Sequence, residues 1–204
     1  MRTTTALLGT GALFAATAGL ALPASAQDST AAVSVLHGIP GLTVDVYVND
    51  DLTLDDFEPG DLAGPLDLPA GSYEVDITAS DAADNSSPVL SATLDVAAGG
   101  NYTAVAHLTE GGDPTVTPFV NDTEAAGAGE GKLTARHTAQ APEVTVFVDG
   151  GEVASFTNPN EISAPLPAGE YDVELQAGGA AVATTPSTDA VPVQEGVNTI
   201  AYAW

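Results

Sequence analysis

"LPAGSYEV" occupies residues 68–75 and "LPAGEYDV" occupies residues 166–173. The residues the two octapeptides share, Leu, Pro, Ala, Gly, Tyr and Val, supply no base and no activated nucleophile, so a pair of active sites is a poor account of the recurrence. A pair of identical turns in a duplicated fold is a better one. Proline at the second position presets φ, and glycine at the fourth suits a type I turn. Tyr73 then opens a strand facing inward, and its hydroxyl is placed to bond back to the turn's backbone, as in the tyrosine corner of β-sandwiches.

The surrounding sequence carries strand signals. "TVDVYVN" (43–49) alternates Val44, Val46 and Val48 with Thr43, Asp45 and Tyr47, the period-two pattern of a half-buried strand. "SYEVDIT" (72–78) places Tyr73, Val75 and Ile77 on one face and Glu74 and Asp76 on the other, and "SATLDV" (91–96) and "NYTAVAHL" (101–108) follow. "TVTPFVN" (115–121) reads as an edge strand because Pro118 cannot donate to a ladder. The order then returns. "LTARH" (133–137) mirrors "VSVLH" (33–37), "VTVFVDGG" (144–151) mirrors "VDVYVNDD" (44–51), and "VQEGVNTIAYAW" (193–204) mirrors "VAAGGNYTAVAH" (96–107). The spacing between copies stays near one hundred residues, too few repeats for a solenoid or propeller. The expected fold is all-β: two tandem immunoglobulin-like or transthyretin-like antiparallel β-sandwich domains. The first spans residues 27–122, a Gly- and Ala-rich flexible linker spans 123–132, and the second spans 133–204. Past its last mirrored strand the first copy continues into "TVTPFVN", whereas the second reaches Trp204, so the second is expected to carry one strand fewer and leave a sheet edge open.

Arg2, an apolar run from Ala6 to Leu22 and the small-residue ending Ala24-Ser25-Ala26 read as a secretory signal peptide over residues 1–26. The run is too short and too rich in Gly, Ala and Thr for a membrane anchor. The protein is therefore expected to be secreted, extracellular or held at the cell envelope, with no membrane span in the mature chain. Cysteine is absent, so no disulfide framework supports the cores. The formal net charge is −25, from 28 acidic residues against three basic ones, Arg2, Lys132 and Arg136. Such a surface repels phosphate backbones and anionic lipids. Nucleic acid is excluded as a partner; a basic or cation-bridged partner is favoured.

Several residues taken together resemble the family called domain of unknown function 4397: Val33-x-Val35-Leu36-His37-x-x-Pro40, Val44-Asp45-Val46-Tyr47-Val48-Asn49, Leu68-Pro69-Ala70-Gly71-x-Tyr73 and Asn101-Tyr102-Thr103. The resemblance covers about residues 33–122 and, more weakly, about 133–204, where Val144-Thr145 replaces Val44-Asp45. It implies a β-rich extracellular module of bacteria, often in tandem, and brings no established activity with it.

Candidate chemistry is sparse. His37 and His137 occupy matching places and share parity with the inward residues of their strands. A metal ligand needs partners at ligand spacing, and neither has one, so each reads as a strand-end imidazole bonded to a loop carbonyl. His107 reads as a strand side chain. No G-x-S-x-G, H-E-x-x-H or phosphate-binding loop occurs. Paired carboxylates for glycoside hydrolysis would need an aromatic-lined groove, and Trp204 is the single Trp; a carbohydrate-active protein is thus a remote alternative. The acidic stretch Asp45, Asp50, Asp51, Asp55, Asp56, Glu58 and Asp61 reads as a solvated loop or, centred on Asp50–Asp61, as calcium ligands. Tyr47 and Phe147 lie opposite the valines, as contact points or as part of a second buried face. Asn85, Asn101 and Asn121 head glycosylation sequons. No catalytic, cofactor-binding or metal residue is assigned and no cofactor is implied. The expected function is a non-enzymatic binding or structural module of the cell surface, with a calcium-responsive acidic module as the alternative.

Overall fold

A computed structural model describes residues 29–184 and 190–204, and the expected signal peptide lies outside the described residues. The described chain is all-β, without a helix, in several small sheets and no closed barrel. The first eight strands are β1 (Thr30–His37), β2 (Val44–Val48), β3 (Asp51–Phe57), β4 (Leu62–Pro69), β5 (Gly71–Ala79), β6 (Leu90–Val96), β7 (Asn101–Leu108) and β8 (Pro114–Val120). They form two four-stranded sheets, ordered β4-β1-β7-β8 and β3-β2-β5-β6. The next nine are β9 (Glu130–His137), β10 (Val144–Val148), β11 (Gly151–Phe156), β12 (Glu161–Pro167), β13 (Gly169–Tyr171), β14 (Val173–Ala177), β15 (Ala180–Thr184), β16 (Val191–Val193) and β17 (Asn198–Ala203). Their sheets run β12-β9-β17, β11-β10-β14-β15 and β13-β16.

The expectation of purely antiparallel sheets is corrected. β1 pairs with β7 in parallel, Val33 beside Tyr102 and Val35 beside Ala104, and β9 pairs with β17 in parallel. The cause is connectivity: after β1 the chain crosses to the other sheet twice before β7 returns beside it, and such crossovers bring strands back in the same direction. Leu68-Pro69 ends β4 in one sheet and Gly71 opens β5 in the other, so the octapeptide turns the chain at a corner between sheets. Tyr73 Oη donates to the Pro69 carbonyl at 2.7 Å, and Tyr171 Oη to the Pro167 carbonyl at 2.7 Å. Each ring locks its own corner.

Ala31, Val33, Val44, Val46, Phe57, Val75, Ile77, Leu94 and Val96 form one apolar cluster between the first two sheets. Leu133, Ala135, Val144, Val146, Phe156, Val173 and Val193 form its counterpart. A third cluster lies elsewhere, on the opposite faces of β1, β7 and β8: Leu36, Val105 and Phe119, with Tyr202 of β17 packed against them. Here the two halves meet. Arg136 of β9 enters this layer at 1% exposure. Its guanidinium carbon sits 4.5 Å from the Phe119 ring centre and 5.5 Å from that of Tyr202. Nε donates to Glu161 at 2.6 Å, Nη1 to Tyr202 Oη at 2.7 Å, and Nη2 to the Val120 carbonyl at 3.4 Å. Lys132 pairs with Asp122, Asn198 Nδ2 donates to the Asp122 carbonyl, and Asn158 Nδ2 to the Leu108 carbonyl. Trp204 lies against Gly60, whose φ of +92° strains any other residue and where a Cβ would crowd the indole at 3.1 Å.

The stretch read as linker is partly strand, since β9 begins at Glu130 and Gly131 approaches the Gln194 backbone too closely for a Cβ. β8 is an edge strand, as Pro118 requires. Its position has no counterpart beside β17 among the described residues, so the sheet β12-β9-β17 is one strand narrower than β4-β1-β7-β8.

Truncating the buried cation tests the junction. Arg136→Ala should cost about 3 kcal/mol in denaturant unfolding, because partners are left unpaired in a closed layer. Glu161→Gln should cost under about 1 kcal/mol, since that carboxylate is 37% exposed and solvent screens it.

Candidate functional site

The acidic stretch folds differently from the loop expected of it. Asp51–Phe57 is strand β3, paired antiparallel with β2. Val44 faces Phe57 and Val46 faces Leu54, with a register shift between them, so Asp45 alone faces both Asp55 and Asp56. That is a β-bulge, in which two residues oppose one and a side chain is re-aimed. Asp56 takes a positive φ of 50° within it, and its backbone N–H donates to Asp45 Oδ1 at 2.9 Å. Carboxylate oxygens of Asp45, Asp55 and Asp56 lie within 4.8 Å of one another. Asp45 is 4% exposed, while Asp55 and Asp56 face solvent. Unit charges ~5 Å apart repel by ~1 kcal/mol even in bulk water, and by more beside a low-dielectric sheet.

The other acids go elsewhere. Asp50 accepts a bond from Asn85 Nδ2 at 2.9 Å, and Asp61 Oδ2 accepts one from the Glu58 N–H. Asn85 also reaches Asp76, whose other oxygen accepts from Ser91. The Asp50–Asp61 set is thus not one site; two of its members, Asp55 and Asp56, converge with Asp45 and the rest do not. Tyr47 and Phe147 are half-buried on the outer faces of their sheets. Asn121 Nδ2 donates to Asn101 Oδ1 at 2.7 Å, so two of the three sequon amides bind each other.

The histidines hold loops. His37 Nε2–H donates to the Leu42 carbonyl at 2.7 Å and its Nδ1 accepts the Ile39 N–H at 3.3 Å. His137 Nε2–H donates to the Pro142 carbonyl at 2.8 Å, and its buried Nδ1 has no partner. His107 lies in the layer between the halves. Its Nδ1–H donates to the Leu108 carbonyl at 3.0 Å and its Nε2 accepts from Thr117 Oγ1 at 2.8 Å. Burial holds its pKa below the usual 6.5, with the neighbouring His137 adding to the effect and carbonyls of Leu108 and Thr138 opposing it. Sequence reading did not single out Arg136 as a buried residue or Thr78 at all. For Arg136 a signal existed: it is one of very few cations, set on the polar face of a strand.

An all-β chain with this corner and bulge defines a β-rich module, and the profile of the family described as "Domain of unknown function (DUF4397)" matches residues 31–147. The chain belongs to that family. The match runs from β1 through the whole N-terminal half and ends in β10. A solved structure titled "The Bacillus anthracis TIE protein" is similar at 17% identity and a TM-score of 0.25, over 86% of this chain and 33% of that one. The chain thus spans about a third of that protein, and a likeness of this depth carries no functional argument. No curated protein matches the sequence.

His107 makes stability depend on pH in a definite direction. Its folded pKa is lowered, so the unfolded chain takes up the proton first as pH falls. The stabilisation is complete above the ordinary 6.5 and drains away below it. Between about pH 7.5 and about pH 5.5, thermal melting should fall less in His107→Gln than in the parent chain.

Proposed function

We propose that the protein is a secreted, non-enzymatic contact module built from two β-sandwich domains stacked through their inner sheets. The reading of residues 1–26 as a signal peptide supports export, and the two apolar clusters, each between its own pair of sheets, support the sandwich assignment. The matching parallel pairs β1–β7 and β9–β17 support duplication of one design. Its work is to bind a basic or cation-bridged component of the cell envelope or the extracellular matrix.

One observation carries the reading. The two basic side chains outside the leader, Lys132 and Arg136, both turn into the junction and pair there with Asp122 and Glu161. The histidines are likewise bound to carbonyls and hydroxyls that hold strands and loops. Among the described residues the charge left facing outward is carboxylate, which attracts cationic surfaces and cations at long range.

The test is sedimentation of the purified protein with envelope material from the producing cell. Retention should fall steeply between about 0.05 M and about 0.5 M sodium chloride, because screening shortens the reach of exposed charge. Retention that ignores salt, or none at low salt, refutes the proposal.

A further inference from the structure

The bulged carboxylates have a neighbour on the strand at the other side of β2. Thr78 of β5 lies directly opposite Asp45 in the antiparallel ladder. Directly opposed residues leave a sheet on the same face, with Cβ atoms about 5 Å apart. Thr78 is 0% exposed, and its Oγ1 has no hydrogen-bond partner. A buried hydroxyl left unbonded is destabilising, and so is a cluster of carboxylates with no counter-charge. One ion relieves both.

We infer that Asp45, Asp55, Asp56 and Thr78 form a calcium site on the outer face of the sheet β3-β2-β5-β6. The donors are all hard oxygens, which suit calcium and magnesium and not the soft metals. Three carboxylates on one ion favour calcium, which takes six to eight oxygens in flexible geometry; magnesium keeps most of its water and uses one or two carboxylates. Solvent at the exposed Asp55 and Asp56 completes the shell. The C-terminal half supplies an internal comparison. At the matching place Thr145 faces Ser155 one to one, without the bulge, and the two hydroxyls bond each other at 2.8 Å. There the same sheet position satisfies itself with neutral groups. In the N-terminal half an extra residue and three negative charges occupy it.

The inference does not rest on the contact function, because its test reads the ion alone. Calorimetry of calcium against the purified chain should give one ion per chain, with Kd in the ~0.1–1 mM range of extracellular modules. Tyr47 leaves β2 on the same face two residues from Asp45, so bound terbium should luminesce when tyrosine is excited, and calcium should quench it by displacement. Asp55→Asn, at an exposed position that leaves the fold intact, should weaken calcium at least about tenfold. Thr78→Val should weaken it several-fold. Asp50→Asn and Asp61→Asn should leave it unchanged, and Tyr47→Phe should abolish the luminescence while calorimetry stays the same. Absence of both heat and luminescence overturns the site. So does equal weakening by Asp50→Asn, or calcium binding that Asp55→Asn and Thr78→Val both leave untouched.

Discussion

A guanidinium is costly to close into a protein layer unless something meets its charge and its nitrogens, and each of the three nitrogens of Arg136 has a partner. Phe119 and Tyr202 cover its faces, Glu161 takes Nε, the Tyr202 hydroxyl takes Nη1 and the Val120 carbonyl takes Nη2. Arginine suits this role better than lysine because its planar fork stacks on rings while it donates at the rim. The partners come from β8, β12 and β17, so the side chain is satisfied only when both halves are folded and apposed. It also explains why Thr103, Val105 and His107 on β7, Thr134 on β9 and Thr138 just past its end are buried although they point away from the two sheet-pair cores. Strands β7 and β9 are covered on both faces, as central strands of layered sheets are.

Much of this was legible in the sequence because period two writes the inward face directly. Val44 and Val46, Val75 and Ile77, Leu133 and Ala135 all lie where alternation puts them. The corner tyrosines bond back as their spacing implies, and Pro118 marks an edge. What alternation cannot distinguish is a polar face that meets water from one that meets another sheet. Thr134 and Arg136 read identically in either case, so the junction was invisible until the layers were assembled. Strand direction was equally hidden, because parallel pairing of β1 with β7 follows from where the intervening strands go, not from any residue within them.

The acidic stretch shows a different limit. Its composition of Asp, Gly and Pro reads as turn chemistry, yet Leu52, Leu54 and Phe57 give β3 enough apolar character to pair with β2. One additional residue in that strand decides which acids meet. Without the bulge, Asp55 and Asp56 would leave opposite faces of the sheet; with it, both reach Asp45. A count of carboxylates therefore says little about where negative charge concentrates, and register says a good deal. The two halves illustrate the point, since at this rung the N-terminal ladder carries three carboxylates and the C-terminal one two hydroxyls.

Trp204 stands beside the junction. Its indole rests on Gly60 at the border between the halves and remains about half exposed, at 49%. Being the single tryptophan, it gives the protein a built-in optical gauge. Its emission colour tracks the wetness of that border alone, whereas far-ultraviolet dichroism averages over every strand. A disagreement between the two signals during unfolding would reveal the halves parting before either melts.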